Sequence, residues 1–165
     1  MPKRFVLLVP FLVALPALAG APEFAVTNLK GIRLVHVAIE KVTPAASQVG
    51  LTEDALQTFV EVRLRRMGIQ VAPNTKWDVP APVIYVRISA VGGQSTFSYD
   101  VFLGVQEVVT VERTRRRTIG FVWDGGSIGH CSPNSAVEVV EKAVGHTLES
   151  FENDWREANS GVAAR

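Results

Sequence analysis

A single cysteine, Cys131, stands in the chain, so no disulfide can close within it. Histidine is nearly as scarce. His36, His130 and His146 form no pair one helical turn apart, the spacing on which tetrahedral zinc sites are commonly built, so no metal and no cofactor is expected. Charge of one sign is missing as well: the formal net charge is +1, which argues against a general nucleic-acid binder. The alternating βαβ pattern of a parallel sheet is absent, and so are internal repeats and a domain boundary.

What is present begins with a leader. Met1-Pro2-Lys3-Arg4 is basic, Phe5 to Ala19 is apolar but broken by Pro10 and Pro16, and Ala17-Leu18-Ala19 is an A-x-A cleavage site. The run is short and proline-interrupted for a membrane span. Leu18-Ala19-Gly20 would suit a bacterial lipoprotein, but the next residue is Ala21, which offers no thiol to acylate. Residues 1–19 are therefore expected to be a signal peptide cleaved after Ala19, delivering the chain to the periplasm or outside the cell. Cleavage would remove Lys3 and Arg4, taking the formal charge from +1 to −1.

Residues 20–30 are expected as a flexible lead-in, and 31–160 as one domain. Val35, Val37 and Ile39 alternate with Leu34, His36 and Ala38, as in an interior strand. Residues 43–50 are expected as a loop. A helix then starts at Thr52, with Glu53 and Asp54 in its first turn and Gly68 past its end. Leu51 and Leu56 occupy the staple positions, and Leu56, Phe59, Val60, Leu64 and Met67 form its apolar stripe. A short strand covers 69–72. Three longer ones follow: 82–91, with Ile84, Val86, Ile88 and Ala90 inward; 96–112, with Tyr99, Val101, Leu103 and Val105 inward; and 118–123, with Ile119, Phe121 and Trp123 on one face. Glu107 falls on the inward face of its strand, which predicts a bulge or a strand running past the core. Val137, Val140, Val144, Leu148, Phe151 and Trp155 make the stripe of a last helix, about 133–158. The predicted order β-α-β-β-β-β-α is α+β. It makes a two-layer sandwich, with a mainly antiparallel sheet of four or five strands and two helices packed on one face.

The stretches GLTEDALQTFVEVRLRRMGIQV, VIYVRI, YDVFLGVQEVVTVERTRRRT and FENDWREAN resemble an uncharacterised family of small exported bacterial proteins. The layout is also similar to cell-envelope assembly and transport accessory domains. That resemblance implies an envelope role and brings no catalytic residue with it.

DGGSIGHCSPN (124–134) carries the most chemistry-bearing residues. It contains G-x-S-x-G, but no acid lies between Ser127 and His130, and the helix expected at Pro133 begins well past Ser127, unlike a nucleophile elbow. His130 and Cys131 are adjacent in an extended segment and so point apart. Cys131 before a helix start is the one possible reactive thiol, with His36 as a base only if the fold brings it near. The structural alternative is a glycine turn followed by a helix start. There Ser132 is the N-cap, its hydroxyl bonded to the N–H of Asn134 or Ser135, Pro133 is the first helical residue, and Cys131 staples onto Ala136. The other candidate is RTRRR: in an extended hairpin Arg113, Arg115 and Arg117 share a face, with Arg116 opposite. This cluster suits an anionic envelope component or an acidic envelope protein, with peripheral membrane contact at most. The alternating sheet face with Tyr85, Arg87 and Ser89 is a further contact surface, provided that helices do not cover it. The function expected is a non-enzymatic binding or assembly role in the envelope; a thiol-dependent enzyme or redox protein using Cys131 is the alternative.

Overall fold

The computed structural model describes residues 23–73, 81–92 and 95–160. The expected signal peptide lies outside these residues. A short helix α1 (Glu23–Thr27) precedes β1 (Leu34–Ile39), which leads into two helices, α2 (Pro44–Gln48) and α3 (Glu53–Met67). Then come β2 (Gln70–Val71), β3 (Val83–Gly92), β4 (Phe97–Val111) and β5 (Arg116–Cys131), a 3₁₀ turn at Pro133–Ser135, and α4 (Ala136–Asn159).

The five strands form one sheet in the order β2-β1-β3-β4-β5. β1 runs parallel to both β2 and β3, while β3–β4 and β4–β5 are antiparallel and make the longer ladders. The α+β class, the strand number and the predominance of antiparallel pairing agree with the hydrophobic pattern. Inward residues Val35, Val37, Ile84, Val86, Ile88, Val101, Leu103 and Val105 are all buried, and so are Leu56, Val60 and Leu64 of α3 and Val140, Val144, Leu148 and Phe151 of α4. These side chains form a single core between the sheet and the helices. The Thr52 hydroxyl accepts from the Ala55 N–H at 3.2 Å, and Gly68 closes α3 in the left-handed region at φ 91°.

Three local expectations give way. Residues 43–50 include α2, because Pro44 starts a helical turn at its first position and Ala46 buries completely against the core. The lead-in is held more firmly than expected at its C-terminal end. Leu29 is fully buried, and the Asn159 side chain accepts from the Gly31 N–H at 2.8 Å and donates to the Leu29 carbonyl at 3.2 Å. The Trp155 indole adds a bond to the Ile32 carbonyl at 2.9 Å. Finally, Ser132 caps no backbone N–H: its hydroxyl lies 3.0 Å from the Ser135 hydroxyl, and a 3₁₀ turn intervenes before α4.

The larger correction concerns DGGSIGHC. Residues 124–131 make no turn; they continue β5 and pair with β4 from Gly104 to Phe97. The glycines are there for space. A Cβ on Gly129 would come within 2.5 Å of the Tyr99 hydroxyl oxygen, and one on Gly126 within 2.3 Å of the Val101 carbonyl oxygen. The register shifts between Val105 and Gln106, where Val122 is the extra residue on β5. Trp123 therefore turns into the core at 3% exposure, while Phe121 and Ile119 emerge on the other face at 45% and 69%.

Candidate functional site

α3 and α4 pack on the core side of the sheet. Among the described residues no helix covers the opposite face of β3, β4 and β5, where Val91 and Ile128 are 76% and 85% exposed. Alternation places Tyr85 and Arg87 of β3, Asp100 and Phe102 of β4 and Phe121 of β5 on that face. The bulge is what brings Phe121 there. The rings of Tyr85, Phe102 and Phe121 pack mutually, with centroids 6.3, 5.9 and 5.1 Å apart and interplanar angles of 65°, 57° and 80°. These are tilted and edge-to-face arrangements, which the ring quadrupoles favour. Gly104 lies beneath them, since its Cβ would meet Phe121 at 2.5 Å and Phe102 at 3.1 Å. The Arg87 guanidinium sits 5.1 Å from the Phe102 centroid and reaches Asp100 at 3.4 Å. The Tyr85 hydroxyl donates to the Glu40 carboxylate. A mutually packed aromatic patch with one cation and an anchored phenol is thus placed on this face.

Beyond this patch the sheet narrows to an arm. The ladder of β3 ends at Val83 opposite Gln106, whereas β4 and β5 pair onward to Val111 opposite Arg116. Residues 107–120 are consequently a two-stranded hairpin. The tip, Glu112–Arg115, is closed by the Thr114 and Arg115 N–H groups donating to the Val111 carbonyl at 3.2 and 2.7 Å, with Arg115 at φ 55°. Arg113, Arg115, Arg116 and Arg117 are all exposed, and none makes an ion pair among the described residues. They do not divide by face as expected. Arg113 and Arg115 belong to the turn, and only Arg116 and Arg117 are strand residues, opposite Val111 and Thr110.

Glu107 marks the root of the arm, in a cleft with Ile32, Leu34 and Pro82. Desolvation there raises its carboxyl above the ordinary glutamate value. The folded chain therefore holds this proton more tightly than the unfolded one. The resulting stabilisation is complete below the ordinary value and is lost as pH rises through the raised one. Over that window the urea midpoint should fall with pH more steeply for the parent chain than for Glu107→Gln; parallel profiles would contradict the assignment.

The residues of DGGSIGHC do not assemble. Ser127 and Cys131 face the core from positions roughly 13 Å apart along an extended strand, and the Ser127 hydroxyl is buried without a hydrogen-bond partner among the described residues. His130 points to the opposite, exposed face. His36 is buried on β1, and β3 and β4 lie between it and β5. At strand spacing that is roughly 14 Å across the sheet, and the register sets Cys131 a further nine residues, roughly 30 Å, along the strands; His36 also faces the other way. The Cys131 side chain packs partly buried against the core. His146 projects from α4 and approaches Glu149 at 3.6 Å. Among the described residues no three His, Cys, Asp or Glu side chains come together to hold a metal, and no helix is long and apolar enough to cross a membrane.

Sequence reasoning found Tyr85 and Arg87 on the open face but not Phe102 or Phe121. Phe102 was findable, since it alternates out of phase with the buried Val101 and Leu103. Phe121 was hidden by the bulge.

No family model matches the chain, and no curated protein matches it. Among solved structures it is similar to a minor lipoprotein from Acinetobacter baumannii, at 10% identity and a TM-score of 0.31, over 77% of this chain and 93% of that one. So low a score carries no functional weight.

Proposed function

We propose that this chain is an exported domain of the cell envelope that acts by binding a partner protein and performs no chemistry of its own. The observation carrying this reading is the sheet face that no helix covers among the described residues, with Tyr85, Phe102, Phe121 and Arg87 on it. Aromatic and arginine side chains are the residue types that dominate the energetics of protein–protein contacts. Here they are already packed against one another, so little side-chain freedom is left to lose on binding. The leader at residues 1–19 supports the compartment. The non-catalytic part is supported by the dispersal of Ser127, His130, Cys131 and His36 over two faces and separated strands, which favours it over a thiol-dependent enzyme.

The test is site-specific photocrosslinking in intact cells. Benzoylphenylalanine replaces Phe102 in one variant and Val62, an exposed position on α3, in another. A discrete protein adduct is expected from position 102 and none from 62. No adduct from 102, or the same adduct from both positions, would remove the support.

A further inference from the structure

We infer that the hairpin arm, residues 107–120, is a docking element for an anionic phospholipid bilayer. Three observations converge on it. First, among the described residues the arm is paired only as two strands past the end of β3, with only its root packed, beside Ile32, Leu34 and Pro82, and a two-stranded ribbon is only marginally stable in water unless something covers it. Second, its outward side continues the open face of the sheet with aliphatic side chains. Val108 and Ile119 pair directly across the strands at 58% and 69% exposure, next to Phe121 at 45%. Third, Arg117 follows in the same row, and Arg113, Arg115 and Arg116 crowd the tip, with Glu112 the only acid among them.

An apolar strip bordered by arginines matches the boundary between acyl chains and head groups. The aliphatic and aromatic groups enter the apolar side, while guanidinium groups reach the phosphates along flexible stems. Arginine forms bidentate bonds to phosphate oxygens, and each basic group near an anionic leaflet adds to the attraction. A second copy of the chain is a poor occupant, because pairing the arms would set arginine against arginine. An acidic soluble protein would account for the arginines but not for the neighbouring aliphatic pair. The inference goes beyond the partner-binding reading and is independent of it.

Co-sedimentation of the exported chain with vesicles tests it. Vesicles of phosphatidylcholine alone should leave the protein in solution, and vesicles that also contain phosphatidylglycerol should carry it down at low salt. Replacing Arg113, Arg115, Arg116 and Arg117 together with glutamine should lower partitioning on the order of a hundredfold or more. Val108→Ser with Ile119→Ser should lower it severalfold while leaving the salt dependence unchanged, with circular dichroism confirming that both variants fold. Equal binding to both vesicle types, or no binding to the anionic ones, overturns the inference. So does loss with the arginine variant but none with the aliphatic one, since that outcome describes charge adherence without contact to the apolar layer. A crosslinked partner at Phe102 without any vesicle binding would leave the proposed function standing and remove this one.

Discussion

Phe151→Ala is expected to destabilise the fold by about 3–5 kcal/mol, which for a domain of this size is a large share of the total. Phe151 is completely buried on α4, in line with Val140, Val144 and Leu148. Its ring meets the Trp123 indole edge-to-face at 5.2 Å, and that indole donates to the Asp154 carboxylate at 2.7 Å. Truncation would open a void at the contact between α4 and the strand pair β4–β5, and the indole, held by Asp154, is poorly placed to fill it. Urea denaturation should show a lower midpoint with an unchanged slope. Val62→Ala, at a 38% exposed site on α3, should stay within about 0.5 kcal/mol of the parent. Comparable losses for the two substitutions would mean that Phe151 is not the core contact described.

That core was readable from the chain because burial imposes its own period. Val35 and Val37, Ile84 to Ile88, and Val101 to Val105 repeat every second residue where strands have one face inward; α4 repeats its stripe every three or four. Two features were not readable, for related reasons. Glycine ordinarily marks a break in local structure, so Gly125, Gly126 and Gly129 predicted a turn. At Gly126 and Gly129 the cause here is crowding by residues distant in sequence, with Tyr99 lying against Gly129 and Val101 against Gly126. The bulge at Val122 leaves no local trace either. Ile119, Phe121 and Trp123 alternate without a fault, yet the register shift sends Trp123 inward and Phe121 outward. The candidate site follows the same division. The arginines and the Tyr85–Arg87 face are visible in the sequence. The aromatic cluster and the two-stranded arm depend on register and on where β3 stops, and these are properties of pairing.

Register can therefore be tested at a glycine. Gly126 and Gly104 have almost equally close neighbours, at 2.3 and 2.5 Å from an added Cβ, but the neighbours differ in kind. At Gly104 the obstacle is the Phe121 ring, a half-exposed side chain that can rotate away. At Gly126 it is the Val101 carbonyl oxygen, a backbone atom fixed in the β4 ladder. Gly126→Ala should accordingly cost about 2–3 kcal/mol as the β4–β5 pair is forced apart, even after the modest gain from reduced freedom in the unfolded chain. Gly104→Ala should cost less than about 1 kcal/mol, with its main effect a displaced Phe121 and a disturbed aromatic patch. Amide hydrogen exchange would locate the difference: faster exchange across residues 97–105 and 123–131 in the Gly126 variant, and near-parent protection there in the Gly104 variant. If Gly126→Ala is as stable as the parent, Gly126 does not lie opposite Phe102, and the strand assignment of DGGSIGHC fails with it.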